Sequence, residues 1–122
     1  MNTILWIAQG ILAATFFYSG LCKSTLPEHR LIARGQTGVA GLQPAKIRFI
    51  GVSEIAGSIG IILPWALNIA PFLTTASAAC FALVMLLAAP IHYRLKEPGN
   101  VATNIVLLLL SLFVILGRSR IL

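Results

Sequence analysis

The sequence predicts an all-α membrane protein, a four-transmembrane-helix bundle whose helices run alternately up and down through the bilayer. Two observations lead to this class. The 122 residues are 58% hydrophobic and only 10% charged, whereas about a quarter of the residues in a soluble domain are charged. The apolar residues also fall into four long runs. A chain of this size cannot bury so much apolar surface in a water-soluble core, so lipid must cover much of it.

The first apolar run, residues 4–22, contains no charged residue. A helix over this run would be about 28 Å long, close to the hydrocarbon thickness of a bilayer, about 30 Å. A cleaved signal peptide is the alternative for this stretch. However, no positively charged segment precedes the run, which is longer than a usual signal-peptide core, and no small-x-small cleavage site follows it. We therefore expect a retained membrane helix.

The second run, residues 47–63, lies between Pro44 and Pro64, and it differs from the others in containing charged residues. Proline suits the start of a helix and often follows its end, so these two prolines predict its limits. The charged residues are Arg48 near the start and Glu54 in the middle. We expect this helix to be covered mainly by protein.

The third and fourth runs, residues 72–91 and 101–117, predict two further helices. The intervening sequence Glu97-Pro98-Gly99-Asn100 is typical of a turn. A transmembrane β-barrel does not fit, because its strands are about ten residues long and alternate in polarity. We therefore predict one membrane domain over residues 1–122 with four spans.

The basic residues predict the orientation of these spans. Positively charged residues remain on the cytoplasmic side of a membrane. Seven lie in the loop between spans one and two, at the start of span two or in the loop between spans three and four, and two follow span four. They are Lys23, Arg30, Arg34, Lys46, Arg48, Arg94 and Lys96, then Arg118 and Arg120. We expect both loops in the cytoplasm and both termini outside it, in the inner membrane of a bacterial cell. The net charge of +6 is then a topological signal, and it does not indicate nucleic-acid binding, which needs a soluble basic face.

The cytoplasmic loop 23–46 is the only substantial segment that we predict outside the membrane. In its first half, Leu31 and Ile32 lie beside Arg30 and Arg34, a pattern typical of a short helix at the lipid head groups. Its second half has glycines at positions 35, 38 and 41, which argue against a regular helix. We interpret the loop as an interfacial connector; a lid over the mouth of the bundle is the alternative.

Glu54 is the most informative residue, because a carboxyl about 10 Å inside a membrane is costly and usually faces the bundle interior. On a helix it shares its face with Gly51 and Ser58 and with three isoleucines, Ile47, Ile50 and Ile61. Small residues also recur at four-residue spacing in this helix, as Ser53 with Gly57 and Ala56 with Gly60, and such pairs allow helices to approach closely. Glu54 is either a functional group or a structural carboxyl that locks helix packing.

Alternating spans place further polar groups at the depth of the cytoplasmic leaflet. The candidates for ligand binding or proton exchange are Ser19, Lys23, Arg48, Glu54, His92 and Asn104. Glu54 and His92 could act as proton donor and acceptor, and Lys23 or Arg48 could hold an anionic oxygen. Pro90 frees the carbonyl of Leu86 one turn before His92, which could admit a ligand or be a harmless kink.

The sequence shows no metal-ligand spacing, no CxxC pair and no nucleotide motif. Its two cysteines, Cys22 and Cys80, are isolated. No complete catalytic site is visible, so whether the protein is an enzyme stays open.

Several of these motifs resemble the DoxX-like family of small four-helix membrane proteins. Phe17-Tyr18-Ser19-Gly20-Leu21-Cys22-Lys23 is similar to the end of its first helix, and Gly51 to Gly57 matches its Gly-x-x-Glu-x-x-Gly signature. Gly60 to Pro64, His92 and Asn104 extend the resemblance to nearly the whole chain. It implies an up-and-down four-helix bundle. It also implies roles seen in the family, as a subunit of a thiosulfate:quinone oxidoreductase, in oxidative-stress systems or in membrane-protein assembly, although nothing marks this chain as the sulfur-oxidising type.

Three functions remain open at this point. The first is an accessory protein whose polar core, built around Glu54, fixes the bundle or binds a lipid-like molecule, a membrane-protein partner or a second copy of the chain. The second is a membrane subunit of a quinone-linked oxidoreductase, in which Glu54 or His92 exchanges the proton. The third is a small oligomeric transporter. We favour the accessory function, because an electron-carrying cofactor would have to come from a partner. The cofactor or ligand stays unknown, with a quinone and a lipid as the candidates.

Overall fold

A computed structural model describes residues 2–119 of the chain, and every regular element in that part is helical. Four helices are long and apolar enough to span a membrane, the second of them interrupted by a short turn. This confirms the predicted all-α four-helix class. The elements are α1 (Asn2–Thr25), α2 (Glu28–Ala33), a 3₁₀ turn (Thr37–Val39), α3 (Pro44–Gly60), α4 (Leu63–Leu67), α5 (Phe72–Arg94) and α6 (Pro98–Arg118).

The second span departs from the sequence prediction at its end. Helix α3 ends at Gly60, and α4 continues from Leu63 after a short turn. Pro64 therefore does not end a helix. It lies in the first turn of α4, where its missing N–H group costs no helical hydrogen bond. Helix α4 ends at Leu67, and the next residue, Asn68, has a left-handed φ of 54°, a conformation that asparagine tolerates better than most residues.

The loop between α1 and α3 has the two halves that the sequence predicts. Helix α2 covers the first half, with Leu31 buried against the rest of the protein. The second half contains only the 3₁₀ turn, and Gly35 and Gly41 have φ values of 87° and 82°. These left-handed conformations favour glycine and explain why no longer helix forms there.

The four long helices form a closed ring. The most extensive contacts join α1 to α3 and α5 to α6, and α1–α6 and α3–α5 contacts complete the ring. Across its centre, Phe16 of α1 stacks on Phe81 of α5 with ring centroids 3.9 Å apart. Leu12, Ile61 and Val114 surround this stack. The interior of the ring is therefore packed with side chains at mid-height.

Close backbone approach distinguishes the α1–α3 contact. A Cβ atom on Gly20 would lie 2.6 Å from the carbonyl oxygen of Gly51, and a Cβ atom on Gly51 would lie 2.8 Å from the Cβ of Lys23. Gly57 of α3 instead makes room for a side chain, because a Cβ atom there would lie 2.7 Å from the ring of Phe81 in α5. The close approach of α1 and α3 thus depends on Gly20 and Gly51, which bring the last turn of α1 against the middle of α3. Of the pairs that the sequence singled out, Ser53 and Ala56 are exposed.

Large apolar side chains are exposed on all four long helices, including Ile4, Phe49, Leu87 and Leu109. This is the surface that lipid covers in a membrane. We call the end of the bundle that carries the 26–43 loop and the Leu95–Glu97 turn the loop end. The opposite end, with Asn2, residues 61–71 and Arg118, is the terminal end.

Candidate functional site

An ion pair joins α1 and α3 towards the loop end. Lys23 Nζ lies 2.5 Å from Glu54 Oε1, and the side chains are 15% and 2% exposed. The face of α3 that carries Glu54 is the predicted one, since Ile47, Gly51 and Ser58 are also buried. The second carboxyl oxygen, Oε2, is buried without a hydrogen-bond partner among the described residues. Lys23 therefore supplies the charge that makes burial of Glu54 tolerable.

Arg48 acts on the end of α1 rather than on the carboxyl of Glu54. Its Nη1 donates hydrogen bonds to the backbone carbonyls of Lys23 and Leu26, at 2.7 and 2.8 Å. The last carbonyls of a helix lack partners within the helix and carry partial negative charge. Arg48 satisfies two carbonyls at this end, and it thereby fixes the turn from which Lys23 reaches Glu54.

A second polar group attaches the loop to α5. His92 Nδ1 lies 2.8 Å from Glu97 Oε1, and Thr37 Oγ1 donates to the same oxygen at 2.7 Å. The hydrogen bonds from His92 and Thr37 hold the pKa of Glu97 below its ordinary value. On the other side of the loop, Ser19 donates to the side-chain oxygen of Gln36 at 3.2 Å. The 36–38 segment is therefore held against both α1 and α5.

The structure gives Glu54 and His92 different partners. Glu54 bonds to Lys23, and His92 bonds to Glu97. The sequence placed Glu54 and His92 at similar depth, but Glu97, only five positions after His92, is the nearer carboxylate. The two groups thus do not form the direct donor–acceptor pair that the sequence suggested.

Asn104 lies apart from the ion pair, on the buried face of α6. It lines a cavity of about 540 Å³ between α5 and α6, together with Leu86, Pro90 and the rim residues Tyr93 and Arg94. Its side-chain nitrogen, Nδ2, is buried and has no hydrogen-bond acceptor among residues 2–119.

A second cavity, of about 720 Å³, continues from the first towards the loop end and shares four lining residues with it. We call the two cavities together the α5–α6 groove. Its lining adds Lys96 and Glu97 at the loop end. The groove thus has an apolar depth with one unsatisfied amide, and a charged rim.

Helix α5 continues through Pro90 to Arg94, so the proline leaves the helix unbroken beside the groove.

The terminal end holds a polar cluster that the sequence did not predict. The sequence placed Arg118 after the last span, whereas the structure includes it in α6 and buries its side chain within the bundle. Its Nε donates to Gln9 at 2.7 Å and its Nη1 donates to Asn2 at 2.7 Å. The sequence feature that could have indicated this cluster is Gln9, a polar residue in an otherwise apolar span. Arg120 lies outside the described residues.

The six predicted site residues therefore separate into three places. Lys23, Glu54 and Arg48 form one group at the α1–α3 contact; Ser19 and His92 hold the loop; Asn104 lies in the α5–α6 groove. No group of three or more His, Cys, Asp or Glu side chains within the described 2–119 range could hold a metal ion.

Four membrane-length helices in a ring, with charged and amide side chains inside it, define a small polytopic membrane protein with internal polar sites. The model of the DoxX-like family matches residues 7–114, and the chain belongs to this family. The match includes Lys23, Glu54, His92 and Asn104. No curated protein and no solved structure matches the chain.

Proposed function

We propose that this protein is an accessory membrane protein that binds the polar head of a lipid-soluble ligand in the α5–α6 groove. The observation that carries the proposal is Asn104, a residue that lines a cavity of about 540 Å³ and whose side-chain nitrogen is buried without an acceptor among residues 2–119. A buried donor without a partner costs about 1–3 kcal/mol. A ligand that offers an acceptor at this point recovers that cost.

The lining of the groove indicates the class of ligand. The depth of the groove is apolar except for Asn104, and Tyr93 and Arg94 lie at its rim. Leu86 and Ile105, which also line it, are 56% and 47% exposed on the surface that faces lipid. A ligand can therefore enter from the membrane. It carries an apolar body and a carbonyl or similar acceptor, a description that fits a quinone as well as the ester group of a lipid.

The placement of the titratable groups favours binding over proton-coupled redox chemistry. Glu54 and His92 are absent from the lining of both cavities of the groove. Each is held by another charged or titratable side chain, Lys23 and Glu97 respectively. In this proposal the Lys23–Glu54 pair is structural: it fixes α1 against α3, and these helices form the half of the ring that supports α5 and α6.

The proposal is tested by the lipophilic molecules that copurify with the protein in a mild detergent. Quantitative mass spectrometry would compare the wild type with Asn104→Leu, which removes the amide but keeps a similar volume. The matched control is Ser111→Ala, since Ser111 lies on the same buried face of α6 but bonds to its own helix at Leu107.

We expect one class of molecule to be enriched over the bulk membrane in the wild type and in Ser111→Ala. Its amount should fall about tenfold in Asn104→Leu, the equivalent of one lost hydrogen bond of about 1.4 kcal/mol. The identity of the molecule distinguishes a quinone from an acyl lipid. Equal enrichment in Asn104→Leu, or a bound fraction with the composition of the bulk membrane in every variant, would contradict the proposal.

A further inference from the structure

The charge of Arg118 has no carboxylate side chain to balance it. The guanidinium is buried, with the residue only 6% exposed. The chain has three acidic residues, and all three bond elsewhere: Glu28 to the backbone of Gly41, Glu54 to Lys23 and Glu97 to His92. Buried charges in proteins are normally paired with a charge of opposite sign. Among residues 2–119, the positive charge of Arg118 thus has no anionic partner.

The hydrogen bonds of Arg118 are also incomplete. Its Nε and Nη1 donate to the side-chain oxygens of Gln9 and Asn2. Gln9 is itself held in place, because its nitrogen donates to the backbone carbonyl of Ile61 at 2.7 Å. The remaining nitrogen, Nη2, is buried and has no partner within the described part of the chain. A guanidinium has five N–H donors, so donors remain for an anion.

Two tryptophans hold the guanidinium in a fixed orientation. Its central carbon lies 5.1 Å from the centroid of Trp6 and 4.6 Å from the centroid of Trp65. These distances are within the range of cation–π attraction. Because the rings and the two amides fix the guanidinium, little conformational entropy remains to be lost when an anion binds.

Arg118 lines a cavity of about 700 Å³ at the terminal end. Asn68, Thr75 and Ser119 add polar groups to its lining, and Phe72, which is 68% exposed, adds an apolar surface. The cavity therefore combines a cation that has no anionic partner in the described part of the chain with hydroxyl and amide groups and with a wall that faces lipid. An anionic head attached to an acyl chain has the same combination of groups.

We propose that Arg118 is the anchor of an anion-binding site for a phosphate group at the terminal end of the bundle. Arginine matches phosphate oxygens in charge and in the spacing of its donors. This site is separate from the α5–α6 groove, which opens towards the loop end. The phosphate belongs either to an anionic lipid head or to a free ion, and the two sources are distinguished by experiment.

Tryptophan fluorescence reports directly on this site, because Trp6 and Trp65 are the only two tryptophans in the chain. The detergent-purified full-length protein would be titrated with short-chain phosphatidylglycerol, with diacylglycerol of equal chain length, which lacks the phosphate, and with inorganic phosphate. The variants are Arg118→Gln and, as a control, Arg30→Gln, which removes an exposed cation at the loop end.

We expect a saturable change with phosphatidylglycerol at a concentration at least tenfold lower than with diacylglycerol. The change should be lost in Arg118→Gln and kept in Arg30→Gln. If inorganic phosphate produces a matching response that depends on Arg118, the phosphate bound at this site is a free ion. If only phosphatidylglycerol produces the response, the phosphate belongs to a lipid head group. Equal responses to the two lipids, or a response that survives in Arg118→Gln, would overturn the proposal.

A second variant keeps the test decisive if Arg118→Gln fails to fold. Thr75→Leu narrows the cavity and leaves Arg118 with its bonds to Gln9 and Asn2. We expect at least a tenfold weaker response to phosphatidylglycerol in this variant. An unchanged response would place the bound lipid elsewhere and overturn the assignment to this cavity.

Discussion

Replacing Lys23 with methionine removes the cation of the ion pair but keeps most of the side-chain volume. At 2.5 Å and an effective dielectric constant of about 20, Coulomb's law gives an attraction of about 7 kcal/mol before desolvation is subtracted. Removal of one partner of a buried pair costs about 3–5 kcal/mol. Because Lys23 is 15% exposed and water partly screens it, we expect Lys23→Met to lower the free energy of unfolding by about 3 kcal/mol.

A double-mutant cycle separates the interaction energy of the Lys23–Glu54 pair from the other effects of replacing Lys23. Glu54→Gln should cost less, about 1 kcal/mol, since the freed lysine can extend its amine towards the head groups. The double variant should be more stable than Lys23→Met, because it leaves no unpaired buried charge. We therefore expect a coupling energy of about 2 kcal/mol.

The assay for this cycle is unfolding by sodium dodecyl sulfate in mixed micelles, followed by circular dichroism. Glu28→Gln is the matched control for the loss of a carboxylate, since Glu28 is exposed and bonds only to the backbone of Gly41 in the described structure. It should change stability by less than about 0.5 kcal/mol. A coupling energy below about 0.5 kcal/mol would refute the ionic contact between α1 and α3.

Three further predictions concern packing, pH and orientation. Gly20→Ala should destabilise the bundle by about 2 kcal/mol or more in the same unfolding assay, because its Cβ would lie 2.6 Å from a backbone oxygen of α3. Gly10→Ala is the control, since a Cβ there meets no atom within 4 Å. It should be neutral or stabilising. The lowered pKa of Glu97 stabilises the loop above the ordinary glutamate pKa, about 4.3, and this contribution is lost as the pH falls through the lower folded value. Amide exchange of residues 35–43, corrected for intrinsic rates, should therefore accelerate at acid pH in the wild type, and an equal acceleration in Glu97→Gln would contradict this. A reporter that is active only in the cytoplasm should stay silent when fused after Leu122, and activity there would reverse the predicted orientation.

The membrane spans follow from the sequence because length and hydropathy decide them almost alone. The buried face of α3 follows as well, since a helix turns 100° per residue and Glu54, Gly51 and Ser58 then lie on one side. Ile50 is the partial exception, being only half-buried. These features depend on local periodicity, which a single sequence records.

The partners of the polar residues could not be predicted from the sequence. Lys23 and Arg48 lie at similar depth, and either could have reached Glu54. The choice depends on the rotation of α1 against α3, which the contact between Gly20 and Gly51 fixes. The burial of Arg118 likewise depends on Gln9, which is 109 positions away in the chain. Such pairings are tertiary and leave no periodic signal.

Ligand binding at Asn104 is tested most directly by the nuclear magnetic resonance signals of the asparagine side-chain amides. The chain has four asparagines, so selective ¹⁵N labelling of asparagine gives the signals of four side-chain amides. The signal that is lost in Asn104→Leu is assigned to Asn104. We predict that adding a lipid extract of the native membrane to the delipidated protein shifts the Asn104 signal downfield, as a new hydrogen bond forms, and moves the other three little. An Asn104 signal that stays unchanged at saturating extract would contradict the proposed site.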